Sequence, residues 1–272
     1  MSTPLITSDV TASVLPYRPF PVLADPFQPI SLLLERAEYP QGIADPYLVG
    51  DPTPGDWIPA ASLVDGSALG ELLDAPTRRW GAAPHAAAAL AWKGYTYWLT
   101  LPAVLMYAIA DRVPLLHADN VLAQLRDEPP YLVIGLRRPA LAVLPGDEFA
   151  DLPDTVVVPD HASLRNALAD SLVAGHLAPL AAATRARVRI GSRILSGAVA
   201  ASVGYAAQIV QKLFPEAENL TAHGTALLET LRVAHLVDLE ETPGGVEVRR
   251  RTCCLAFTVP GFGVCEGCCI PS

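Results

Sequence analysis

All five cysteines of this 272-residue chain fall within residues 253–269. Cys253 and Cys254 are adjacent, ten residues follow, then come Cys265, two residues, Cys268, and Cys269 directly after. Cysteines used as small apolar core residues would be scattered along the chain. Thiolates that converge on one point make a soft-metal site, either tetrahedral zinc or an iron–sulfur cluster. Zinc knuckles usually come as two Cys-x2-Cys units, and here only Cys265 to Cys268 has that shape. The other half is a vicinal pair. Its side chains point to opposite sides of extended backbone, so they reach a single ion awkwardly and a two-iron cluster more easily. Pro260, Gly261 and Gly263 mark a reversal, so residues 255–264 read as a small hairpin joining the halves. Gly267 lets backbone come close enough for amide N–H groups to face sulfur. Disulfides are disfavoured by the odd count and the absence of a secretory signal.

The run Cys253-Cys254-x10-Cys265-x2-Cys268 resembles the C-terminal signature of ferric-siderophore reductases of the FhuF type. Weaker likeness extends to Trp57–Leu63, to the apolar segment around 86–110, and to Val113–Val121. The resemblance implies a 2Fe–2S cluster on Cys253, Cys254, Cys265 and Cys268. It also implies a ferric siderophore as substrate, of the hydroxamate type, and an external electron donor such as a ferredoxin or flavin reductase. Cys269 departs from the pattern and leaves a second register, Cys265 with Cys269, open.

Other residues must support such a site. Arg249, Arg250 and Arg251 lead straight into the first cysteine pair. A thiolate-held cluster is anionic, so nearby guanidinium charge stabilises its reduced form. Strand alternation means that the three arginines do not share one role; charge balance is the main one and substrate contact the second. Arg185, Arg187, Arg189 and Arg193 form a second basic run. On a continuous helix Arg189 would share a face with Arg185 and with Arg193, either as solvated surface or as a patch for an anionic chelate. His117-Ala-Asp-Asn120 reads as turn chemistry rather than a substrate contact.

The elements that carry these residues are expected to form an α+β fold: a mostly helical body, a small antiparallel sheet and a short C-terminal iron–sulfur module. Hydrophobic residues make up 51% and charged residues 17%, so a packed core is affordable. Residues 1–56, rich in Pro, Asp and Gly, read as an irregular surface arm, apart from two helical turns at Ile30–Ala37. The body spans 57–237. Helical periodicity covers Ser62–Leu73, Trp80–Ala110 with Pro102 starting or kinking its second half, Asp160–Ala174, His176–Ala183, Ile194–Leu213, and a last helix ending near His235. Between them, runs at Val113, Val121, Tyr131, Ala140 and Thr155 read as an antiparallel meander. Residues 238–272 form the module, entered through a hairpin with its turn at Thr242–Gly245.

Net charge is −9, which argues against a nucleic-acid partner. Gly94–Ala110 is uncharged but too short and too interrupted for a membrane span, and no signal peptide is visible, so a cytoplasmic location is expected. There is no dinucleotide fingerprint, P-loop or nucleophile elbow, so no nucleotide or flavin site is expected. Two further classes stay open. One is an iron–sulfur electron carrier or redox sensor without a siderophore pocket. The other is a siderophore-assembly protein with structural zinc. An aromatic and Arg-lined cleft beside the cysteines would favour the reductase; a flat surface would favour the carrier.

Overall fold

The structure, a computed structural model, describes residues 25–39, 41–53, 55–265 and 267–270. It is an α+β fold built around two long helices. The chain opens with α1 (Gln28–Arg36) and β1 (Ile43–Leu48), then β2 (Ile58–Pro59), α2 (Ala60–Val64), α3 (Leu69–Trp80) and α4 (Pro84–Ala110). Strands β3 (Arg112–Pro114), β4 (Val121–Leu125), β5 (Leu132–Leu136), β6 (Leu141–Val143) and β7 (Thr155–Val157) follow. Helix α5 (His161–Ala169) runs through a π-helical segment, Asp170–Leu177, into α6 (Ala178–Arg187). Next come α7 (Ser192–Leu213), α8 (Leu220–Thr230), and the hairpin β8 (Val237–Thr242) and β9 (Gly245–Arg250).

Small residues explain why α4 and α7 form the centre. Ala86, Ala87, Ala88 and Ala89 are buried on α4; Gly197, Ala198, Ala200, Ala201 and Gly204 are buried on α7. Short side chains let the two backbones approach closely and leave few voids. Polar bonds then lock the register. The Trp92 indole N–H donates to the Leu195 carbonyl at 2.9 Å, and the Ser202 hydroxyl meets the Thr96 hydroxyl at 3.2 Å. Buried polar groups cost stability unless they are paired in this way. Helix α4 runs unbroken through Pro102. Deeper in the core, Tyr95 donates from its hydroxyl to His176 on the π segment, and the other ring nitrogen of His176 bonds the Leu116 carbonyl, both at 2.8 Å. Burial drops the His176 pKa to about 4, so the ring is neutral. A neutral ring donating to the carbonyl must accept from the tyrosine.

The expected meander is corrected. All five runs are strands, but they divide between two sheets. β4 and β5 pair antiparallel in the sheet β1-β5-β4-β2, with β1 parallel to β5. β3 pairs antiparallel with β6, and β7 lies parallel to β6. The divider is the His117–Asn120 turn. The Asn120 side chain donates to the Leu115 and Arg138 carbonyls and accepts from the Arg138 N–H. It ties the start of one sheet to the end of the other, so the turn reading of this segment holds.

The expectation of an irregular arm over 1–56 also needs correction in its described part. Ile30 and Leu33 of α1 are fully buried, and β1 supplies an edge to the first sheet. The isolated two-turn helix looked peripheral because its burial depends on partners far along the chain. Residues 1–24 lie outside the described residues. Two helical stretches, His161–Arg187 and Ser192–Leu213, are long and apolar enough to cross a membrane by length and composition; 67% of the most apolar window of the second is packed inside the fold.

The C-terminal hairpin lies on α7. Gly204 packs under Val248 of β9, and a Cβ at Gly197 would run into the Thr252 side chain. Gly197 is therefore the point where the central helix seats the strand that delivers the cysteines. Gly197→Val is expected to overpack this contact, at a cost of about 1–3 kcal/mol. Urea unfolding should show the loss, and the cysteine region should show raised thiol reactivity toward a chromogenic disulfide. Unchanged stability and reactivity would refute the seating role.

Candidate metal centre

Period-2 alternation along β9 sorts the three arginines. Arg249 is exposed, Arg250 is 1% exposed, and Arg251 is exposed beyond the strand end. Arg251 pairs with Asp238 across the hairpin, Nε to Oδ2 at 3.0 Å. That bond raises the Arg251 pKa further, so it is a fixed charge on the outside. Arg250 turns inward, and none of its three guanidinium nitrogens has a hydrogen-bond partner among the described residues. A buried cation without a counter-charge is strongly unfavourable. One anionic candidate is Cys254, whose ionisation the Arg250 charge favours.

The backbone holds the two cysteine segments against each other. The Arg250 N–H donates to the Gly267 carbonyl at 2.9 Å. Gly267 has φ +65°, and a Cβ there would collide with the Val248 carbonyl. Only glycine permits this approach. The Cys268 N–H donates to the Cys265 carbonyl at 3.2 Å and closes the second turn. In the first segment Leu255 adopts φ 61°, and a short 3-10 turn, Ala256–Thr258, follows. Residues 255–264 are therefore not the expected β-hairpin. They form this turn and a loop whose Val259 is buried against Ala82, Ala86 and Ala87. The connector is anchored by side-chain burial on α4 rather than by cross-strand bonds, which is why turn residues alone misled.

The result brings the Cys254 and Cys265 sulfurs to 3.7 Å. Two thiolates bound at about 2.3 Å to one tetrahedral ion stand about 3.8 Å apart. Two amides point at the other sulfurs: Leu255 N–H at Cys253 Sγ, 3.3 Å, and Ile270 N–H at Cys268 Sγ, 3.4 Å. The charge of Cys268 acts on Cys265, and those of Cys268 and Cys253 act on exposed Cys269, so the two cysteine segments lie within electrostatic reach of each other. Among the described residues, no three Cys, His, Asp or Glu stand close enough together to hold a metal ion. The Cys254–Cys265 pair is at ligating separation; Cys253 and Cys268 flank it.

Charge around the pair favours thiolate. Burial pushes the Cys254 thiol up, but the Ala256 N–H and the charges of Lys93 and Arg250 outweigh it, and its pKa falls below the usual value. Burial and then the Cys254 charge push Cys265 up to about 11. Of the two, Cys254 is the one its surroundings favour as thiolate, and bound metal would draw a proton from Cys265. Burial, with the charges of Cys268 and Cys253, also raises Cys269. The donor set fits a soft-metal group: sulfur ligands, amides aimed at sulfur, and a buried cation in need of an anion.

Lys93 was missed from sequence. It is one of two lysines in an arginine-dominated chain, and that rarity was the available signal. The second basic run is corrected. Helix α6 ends at Arg187, Val188 is extended, and Gly191 caps α7. Arg189 lies exposed in that break and shares no helical face with Arg185 or Arg193. No contact between Arg189 and the cysteines occurs among the described residues. Arg187 pairs with Asp74, and Arg193 donates to the Arg251 carbonyl at 3.4 Å, near the start of the cysteine segment. Beside the cysteine loop, Phe262 stacks edge-on to Trp80 at 5.2 Å, Trp80 to Tyr131 at 5.4 Å, and Arg79 lies 4.1 Å over Tyr131. A cleft of about 770 Å³, lined by His117, Asp119, Arg138 and Gly175 among others, contains none of the cysteines or these aromatics.

Residues 92–237 match the family described as ferric iron reductase FhuF-like transporter. The match takes in α4 from Trp92 onward and the segment Val113–Val121; Trp57–Leu63 lies outside it, and it ends before the cysteines. No curated protein matches the chain. The matched residues cover more than half of the 272, and the chain belongs to the FhuF-like ferric iron reductase family.

Proposed function

We propose that this protein is a ferric-siderophore reductase that holds a 2Fe–2S cluster on Cys253, Cys254, Cys265 and Cys268. The observation that carries the reading is the Cys254–Cys265 pair at 3.7 Å together with a buried Arg250 guanidinium that has no hydrogen-bond partner among the described residues. The family match supports the same chemistry, since its description is a ferric iron reductase. Bound there, the cluster supplies one electron per turnover, and Fe(III) to Fe(II) consumes one.

The protein's own groups do the rest. Arg250 and Lys93 oppose the negative charge gained on reduction, and the Leu255 and Ile270 amides do so at the sulfurs. Both influences favour the reduced form and raise the potential. The substrate is an Fe(III) chelate of hard oxygen ligands, with a trihydroxamate as the favoured class. Such ligands hold Fe(II) far less tightly, so reduction alone releases iron. A separate donor, such as a ferredoxin or a flavin reductase, restores the electron. Five cysteines without disulfides suit a reducing compartment, which supports the cytoplasmic reading.

One observation favours a carrier instead: the large cleft lies away from the cysteines, and the surface beside them is an open aromatic shelf. The two readings separate in one experiment. Anaerobically purified protein, reduced with dithionite and freed of excess, is mixed with ferrioxamine in the presence of a ferrous chelator. Stoichiometric ferrous iron and reoxidised protein are expected. A stable reduced protein that yields no ferrous iron from any ferric hydroxamate would leave only the carrier.

The ligand set predicts that Cys254→Ser or Cys265→Ser abolishes the visible absorption and the paramagnetic signal of the reduced state, while Cys269→Ala keeps both. A colourless wild-type protein containing zinc would refute the cluster. Arg250→Leu is expected to lower the midpoint potential by about 100 mV. That is the effect of one unit charge removed at roughly 7 Å with an effective dielectric of about 20. Arg250→Lys should recover most of the loss in a redox titration; equal potentials for all three proteins would show that Arg250 does not face the centre.

A further inference from the structure

The ten-residue connector between the cysteine pairs exposes large apolar side chains where it could have hidden them. Phe257 is 45%, Phe262 37% and Val264 47% exposed. The same loop buries Ala256 and Val259, so its backbone is pinned while its large side chains face outward. Trp80 and Tyr131, both half-buried, extend the surface from Phe262 as successive edge-to-face contacts. Exposed apolar patches on an otherwise polar surface mark places where something docks.

Resting on the reductase reading, we propose that this tip and shelf form the docking surface for an acidic one-electron carrier protein that delivers the electron. Shape comes first. A small chelate is normally held in a concave site that encloses most of it. Among the described residues, the clefts of about 770 and 340 Å³ are lined by none of the shelf residues. A flat apolar patch suits a protein face, and transient redox complexes bury little area. Charge comes second. In a chain of net charge −9, four of the cations without a carboxylate partner among the described residues, Arg79, Arg126, Lys93 and Arg193, belong to this edge or to the cysteine segment beside it. Arg79 stacks on Tyr131 and donates to the Arg126 carbonyl; Arg126 bonds Gln124; Lys93 acts on the cysteines; Arg193 donates to the Arg251 carbonyl. Exposed Asp127 and Glu128, next in sequence to Arg126, are the opposing charges at this edge. An apolar centre with a basic rim selects an acidic partner and speeds its encounter at low salt. Position comes third. The exposed side chains lie between the ligand pairs, so a partner seated on them is within a few residues of the sulfurs, where electron transfer is fastest.

The test uses full-length protein and a plant-type 2Fe–2S ferredoxin as the probe. Stopped-flow mixing with reduced ferredoxin reads delivery. Dithionite reduction reads the centre alone, and the pre-reduced protein with ferrioxamine reads the outgoing step. Phe262→Ser, and separately Arg126→Glu, are expected to slow delivery at least tenfold, with rates that fall steeply with salt in the wild type. Dithionite reduction, the visible spectrum and the ferrioxamine step should stay unchanged. Arg126 is exposed and remote from the cysteines in sequence, so its variant decides the matter if Phe262→Ser disturbs the loop. Unchanged ferredoxin rates in both variants would overturn the proposal. So would a ferrioxamine step that falls along with delivery, which would make the shelf the chelate's seat. Self-association that covers the patch, seen by sedimentation, would overturn it too. Binding of oxidised, isotope-labelled ferredoxin to oxidised protein, followed by NMR, needs no electron transfer. It separates failure of this interface from failure of the reductase reading.

Discussion

A positive charge shut inside the protein, with no hydrogen-bond partner among the described residues, is the constraint on which the C-terminal hairpin and cysteine segment depend. Burying the Arg250 guanidinium at 1% exposure costs more than any nearby apolar contact returns, unless an anion meets it. The hairpin presents Arg250 inward with its backbone N–H on Gly267 and its charge acting on Cys254. Arg249 and Arg251, one residue to either side, face out. A single residue of register thus separates a charge that acts on the cysteines from one that only pairs with Asp238.

Holding that register falls to glycines and to one long helix. Gly204 and Gly197 on α7 accept Val248 and Thr252, so β9 and the residues before the cysteines lie directly on helix backbone. Gly267 accepts the Val248 carbonyl from the other side. Helix α4 closes the arrangement: Lys93 brings its charge to the sulfurs, and the alanines before it seat Val259 of the connector. The family-matched body and the cysteine segment therefore meet along α4 and α7.

Much of the helical framework was legible because its signals are local. The helix expected from Asp160 onward is there, and the Asp160 carboxylate caps it by accepting from the Ser163 N–H at 2.7 Å. Leu164, Leu168 and Leu172 line one buried face, as their spacing implies. The hairpin turn at Thr242–Gly245 follows from its glycines. The errors lie where long-range partners overrode local pattern. Parallel pairing of β1 with β5 and of β6 with β7 leaves no trace in alternation, so the two sheets looked like one meander. The Arg185–Arg193 run kept helical spacing across a break that Val188 and Gly191 impose. The connector's reversal was visible, but its anchoring by Val259 was not, because that depends on alanines some 170 residues earlier.

Taken alone, the order of residues determined the chemistry available: clustered thiols with the spacing of a multi-iron ligand set, basic residues leading into them, and helices strong enough to scaffold both. Residue type and short-range spacing carry those facts, because ligand softness and helix periodicity are local properties. Only the tertiary structure decided which arginine faces the sulfurs, that Lys93 joins it, and which surface stands open beside them. Those outcomes depend on burial, and burial is a relation between segments distant in sequence.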